Sequence, residues 1–142
     1  YIVKLKAICA KHGVECPVGA HASVGVLHPK PMLDLHDPED VRRMREIAWE
    51  AFELVKSYGG SWAGEHGDGL VRGEFIRPFF GDRLYEAFRE VKRLFDPHNL
   101  MNPGKIVDTP GMVEHLRHAP PEAPEYHRRV AEVRSQFHYH DQ

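Results

Sequence analysis

Apolar positions recur at helical spacing in three stretches of the chain and break into short runs between them. Over residues 2–12, Ile2, Leu5, Ile8, Cys9 and His12 share one face, and Gly13 follows where a left-handed C-terminal cap belongs, so a helix is expected there. From about Pro38 to Tyr58, Val41, Met44, Ile47, Ala48, Ala51, Phe52, Val55 and Tyr58 follow steps of three and four. Asp37 is the expected N-cap, Pro38 takes the first helical position, Glu39 and Asp40 suit the positive end of the dipole, and Gly59-Gly60 stops the helix. A third helix over about Asp82 to Phe95 carries Leu84, Ala87, Phe88, Val91 and Phe95 and ends at Asp96-Pro97.

Between these helices the period changes. Val14 to Leu35 holds Pro17, Gly19, Gly25, Pro29 and Pro31 among apolar residues, which excludes a long helix and predicts short strands with bends. Gly59 to Gly81 is rich in glycine and predicts a loop, with a short strand or helix around Leu70 to Ile76. Beyond Val107 a polar stretch is broken by Pro110, Pro120, Pro121 and Pro124, and then Tyr126, Val130, Val133 and Phe137 predict one more amphipathic helix. Residues 108–142 therefore read as a connector toward a downstream domain.

Composition narrows the class. A chain of 142 residues, 42% hydrophobic, can bury one core of moderate size. With 19 Lys+Arg against 21 Asp+Glu the formal charge is −2, which excludes a strongly basic nucleic-acid binder. No run approaches the roughly 18 apolar residues of a membrane span, and no targeting segment opens the chain, so a cytoplasmic protein is expected. Cys9 and Cys16 lack Cys-x-x-Cys spacing and are expected to be buried as small apolar side chains. The chain begins at Tyr1, inside a helical pattern, as expected of a piece of something longer.

Three segments could carry chemistry. His21 and His28 lie seven residues apart, so on one straight strand they would face opposite ways. A bend at Gly25 would let both imidazoles converge on one ion; without it they are two independent histidines. Gly64-Glu65-His66-Gly67-Asp68-Gly69 places ionisable groups on a backbone that can approach a ligand closely. Glu65 could join the two histidines in a mixed ligand set with an open position, leaving His66 as a base, since imidazole titrates near neutrality; the alternative is a solvent-exposed turn. Lys30 and Arg72 could each pair with a substrate carboxylate or stay solvated. Asp96 to Lys105 is turn chemistry that could close over a phosphate or flavin, although neither a Walker loop nor a Gly-x-Gly-x-x-Gly motif is present. His115, His118, His127, His138 and His140 show no regular ligand spacing and are expected to be exposed.

Two motifs in order, Ser-Trp-Ala-Gly-Glu-His-Gly-Asp-Gly-Leu at 61–70 and Leu-Phe-Asp-Pro-His-Asn-Leu-Met-Asn-Pro-Gly-Lys-Ile-Val at 94–107, resemble the C-terminal domain of FAD-linked oxidases of the vanillyl-alcohol oxidase superfamily. The resemblance covers residues 1–107 and is greatest to D-2-hydroxy acid dehydrogenases acting on D-lactate, glycolate or D-2-hydroxyglutarate, in the long form whose flavin half precedes an iron–sulfur half. It implies an α+β fold, an antiparallel sheet with helices on one face related to ferredoxin-like domains, truncated at the N-terminus. It further implies that His21, His28 and Glu65 ligate a divalent metal, zinc or manganese, and that His66 is the catalytic base. Lys30 would lie toward an acidic 2-hydroxy acid substrate, and Asn102 and Lys105 near the flavin. An upstream FAD-binding domain, a downstream iron–sulfur cluster and a separate electron acceptor would complete the enzyme. The chain departs from the usual His-x-Gly-Asp-Gly-Asn-x-His pattern at Ser23, Val24 and Val26. The rival expectation is a non-catalytic module that binds a metal or a partner.

Overall fold

The computed structural model describes residues 1–116. Helix α1 spans Ile2–Lys11, and its chain reverses at Gly13, whose φ of 71° lies in the left-handed region, while the Val14 N–H donates back to the Cys9 carbonyl at 2.9 Å. Helix α2 spans Pro38–Ser57, with the Asp37 carboxylate accepting from the Glu39 N–H. The expected caps at both helices are thus the observed ones. α1 packs on α2, where Glu50 Oε1 lies 2.9 Å from Lys11 Nζ and 2.7 Å from His12 Nε2, and this pairing, chiefly with His12, holds the Glu50 carboxyl below its ordinary pKa.

The β segment resolves into one antiparallel hairpin, β1 (Val18–His21) and β2 (Val26–Pro29), joined by a 3₁₀ turn over Ala22–Val24 and by Gly25 at φ 70°. Pairing continues past β2, since the Lys30 N–H donates to the Pro17 carbonyl and the Met32 N–H to that of Glu15.

Helix α3 differs from expectation. It spans Gly73–Phe95, so the helical chain begins nine residues before Asp82, and Gly81 (φ 77°, ψ 165°) breaks it into two segments. Pro78 and Gly81 disguise the first segment in the sequence, because both weaken helical propensity. The break strands the Pro78 carbonyl, which accepts from Lys56 Nζ at 3.2 Å. The core has three contiguous parts: Cys9, Val14, Cys16 and Ile47 between α1, the hairpin and α2; Phe52, Phe75 and Met112 between α2 and α3; and Ile76, Tyr85 and Val107 beneath α3. Both cysteines are free and buried, and burial, with the neighbouring Cys16, pushes the Cys9 thiol up to about 12. Met112, at the start of the stretch read as a connector, sits in this core; the helix expected over 126–137 lies outside the described residues.

Candidate metal centre and catalytic loop

The hairpin register explains how two histidines seven residues apart come to share a face. His21 pairs with Val26 and Gly19 with His28, and directly opposed residues of an antiparallel pair point to the same side. His21, Val26 and His28 therefore project together, with His21 and His28 as a diagonal cross-strand pair whose ring centroids are 4.9 Å apart at 89°. The four-residue connection supplies the reversal; Gly25 is the residue whose positive φ it requires. Ser23 and Val24 enter that turn without disrupting it.

Glu65 arrives from a loop fixed at both ends. At its start Trp62 packs edge-to-face on Phe52 (5.5 Å between centroids) and against Phe75 (4.8 Å). At its end the Gly69 carbonyl accepts from the Ile106 N–H at 3.3 Å. Between these anchors Glu65 Oε1 lies 3.3 Å from His28 Nε2, and Oε2 lies 3.5 Å from His21 Nε2. Ligand atoms on a tetrahedral ion at zinc–nitrogen and zinc–oxygen bond lengths are separated by about 3.3 Å. The three ligand atoms fall within 4.8 Å of one another and form the one such cluster among the described residues. Two neutral imidazoles and a carboxylate suit zinc or manganese, and His21 at 60% and His28 and Glu65 at 33% side-chain exposure leave the outer face of the cluster open. His66 stands beside it, with Nε2 2.9 Å from Glu65 Oε1. Asp68, later in the loop, has Oδ1 buried without a hydrogen-bond partner among the described residues, and burial raises its carboxyl against the pull of Arg72.

The other expected residues lie elsewhere around this loop. Lys30 is exposed one residue past β2, on the strand face that carries His28 by alternation. Arg72 immediately precedes α3 and lines a 640 Å³ cavity with Val26, Gly64, Ser61 and Trp62. Asn102 and Lys105 line a separate, largely apolar 750 Å³ cavity with Phe88, Phe95 and Ile106, and Gly67 and Gly69 of the glycine-rich loop close its near side. The turn bearing Asn102 and Lys105 is organised by Asp96, which the sequence marked as a helix end and the start of this turn. Its buried carboxylate accepts from the N–H groups of Leu100 (2.9 Å) and Met101 (2.8 Å), while Lys92 Nζ donates to both Asp96 and the Met101 carbonyl. The Lys92 hydrogen bond, followed by those backbone donors, draws the Asp96 carboxyl down to about 2.

This α+β domain brings two histidines from a hairpin together with a Glu-His pair from a glycine-rich loop, near an apolar slot. The family of FAD linked oxidases, C-terminal domain, matches residues 1–106, and the chain belongs to this family. Its sequence is 41% identical over 112 residues to the D-2-hydroxyglutarate dehydrogenase of Escherichia coli strain K12, covering 79% of this chain and 11% of that protein. It is 40% identical over 116 residues to the D-2-hydroxyglutarate dehydrogenase of Pseudomonas putida, covering 82% and 11%. It is also 31% identical over 99 residues to the glycolate oxidase subunit GlcD of Bacillus subtilis, covering 70% and 21%. The chain thus spans about a tenth of the length of the D-2-hydroxyglutarate dehydrogenases it matches. Among the described residues no helix is long and apolar enough to cross a membrane.

Proposed function

We propose that this chain is the substrate-side domain of an FAD-dependent oxidoreductase that oxidises a D-2-hydroxy acid to the 2-oxo acid, with residues 1–107 forming that domain and 108–142 leading toward a further one. The observation that carries the reading is the convergence of His21, His28 and Glu65 with His66 alongside. His21 Nε2, His28 Nε2 and a Glu65 oxygen would hold a divalent metal, zinc or manganese, which would supply Lewis acidity to the substrate hydroxyl. The open side of this centre orients the substrate hydroxyl and one carboxylate oxygen. His66 accepts the hydroxyl proton as Cα–H is oxidised, and Lys30 and Arg72 are the cations available to an acidic substrate. FAD, held largely by an upstream domain, supplies the redox chemistry. Asn102 and Lys105 would lie near it, from an apolar slot whose aromatic and aliphatic walls suit a planar ring. An iron–sulfur half, an electron acceptor and a cytoplasmic setting complete the proposal; similarity to D-2-hydroxyglutarate dehydrogenases supports its hydroxy acid part alone.

His66→Ala in the flavoprotein that carries this chain is expected to lower the rate of flavin reduction by substrate by at least about a hundredfold, the usual worth of a positioned base, with flavin still bound. Anaerobic stopped-flow absorbance reads that rate, and reduction at the wild-type rate would remove His66 from the role.

A further inference from the structure

Gly64 has no conformational need to be glycine, because its φ is not positive, yet the structure leaves little room for a side chain there. A Cβ at position 64 would stand 3.1 Å from Val26 Cγ2 and 3.3 Å from Val26 Cγ1, tighter than ordinary van der Waals contact. Val26 is no arbitrary neighbour. It is directly opposite His21 in the hairpin and two residues before His28 on the same strand face, so it neighbours both histidines. Its β-branched side chain has little χ1 freedom, and as part of a paired strand it cannot retreat without moving a histidine.

We infer that Val26 is a floor against which the Gly64 backbone rests, and that this contact sets the height of the Glu65 carboxylate above His21 and His28, making Gly64 a positioning residue of the ligand cluster. The inference rests on the metal-centre reading above. The loop cannot absorb an added methyl by sliding along its length, because Trp62 is packed among Phe52 and Phe75 and Gly69 is tied to Ile106. Displacement therefore falls on residues 64–66. Metal–ligand distances tolerate only about 0.2 Å, so a lift of a few tenths of an ångström takes Glu65 out of range.

Zinc affinity of the chain, measured by competition with a chromophoric chelator and referred to the His21→Ala chain to remove adventitious binding, tests this directly. Gly64→Ala is expected to weaken binding at least about tenfold, the scale of losses when a ligand's support is removed. Removing the floor as well, in Gly64→Ala with Val26→Ala, is expected to restore affinity to within about threefold of Val26→Ala alone, a rescue that general destabilisation would not produce. Far-UV circular dichroism verifies folding. Val26→Ile crowds the same contact from the floor side and carries the test if the alanine chain does not fold, with the same loss expected; wild-type affinity in a folded Val26→Ile chain would then overturn the inference. Wild-type affinity in Gly64→Ala, or no recovery in the double variant, overturns it while leaving the metal centre standing. A wild-type chain that binds zinc no better than His21→Ala overturns both.

Discussion

At Asp96 a single buried carboxylate holds the turn that carries Asn102 and Lys105, and its ionisation is built into the fold. The Lys92 hydrogen bond and the N–H groups of Leu100 and Met101 lower its pKa from 3.8 to about 2. A carboxyl whose folded pKa is depressed contributes stability that is present above its unfolded pKa and lost as pH falls through the folded value. The window here runs from about pH 4 down to about pH 2. Urea unfolding across that window is expected to show wild-type stability falling with acid, and Asp96→Asn, less stable at neutral pH, falling less steeply; parallel slopes would contradict the assignment. The sequence marks Asp96 plainly as a stop signal before Pro97. That the same side chain reaches four and five residues onward could have been read from Asp-Pro-x-x-Leu as a side chain that caps a turn.

Among the elements, the helices that run uninterrupted are legible because cap, period and stop signal agree: Gly13 after α1, and Asp37 with Pro38 before α2. The first segment of α3 is only partly legible, read as a short strand or helix around Leu70 to Ile76, because Gly73, Pro78 and Gly81 all argue locally against a helix and tertiary packing of Phe75 and Ile76 overrides them. Gly73 has its own reason to lack a side chain. A Cβ there would lie 2.2 Å from Thr109 Cγ2, so the start of α3 and the strand of chain leading to Met112 meet at this point. Glu74, next in line, clamps the same junction. Burial opposes its ionisation, but Arg45, the Met112 N–H and the Trp49 indole together hold its carboxyl below the ordinary range. Since alanine is the better helix former by up to about 1 kcal/mol, Gly73→Ala would stabilise a free helix end. Here overpacking against Thr109 is expected to dominate and cost about 1–3 kcal/mol in urea denaturation. Stability equal to or above wild type would show that Thr109 is not seated as described.

For the whole molecule, the residue types of the centre were readable from the sequence, while their convergence stayed one of two alternatives, dependent on a bend at Gly25. His21 and His28 could be two unrelated side chains until the register places Val26 opposite His21, and Glu65 joins them only because distant anchors, Trp62 on Phe52 and Gly69 on Ile106, lay its loop across the hairpin. Gly25 is a local signal for the turn that sets the register, but those long-range contacts leave none. Arg72 lines one cavity, and Asn102 and Lys105 line another that Gly67 and Gly69 of the loop also border. All of this turns on the ligand cluster. The most direct measurement is metal content by plasma mass spectrometry after loading the chain with zinc or manganese and dialysing away excess. About one ion per wild-type chain is expected, lost in each of His21→Ala, His28→Ala and Glu65→Ala. An ion retained at full occupancy in those variants, or none held by the wild type, would contradict a His21–His28–Glu65 centre.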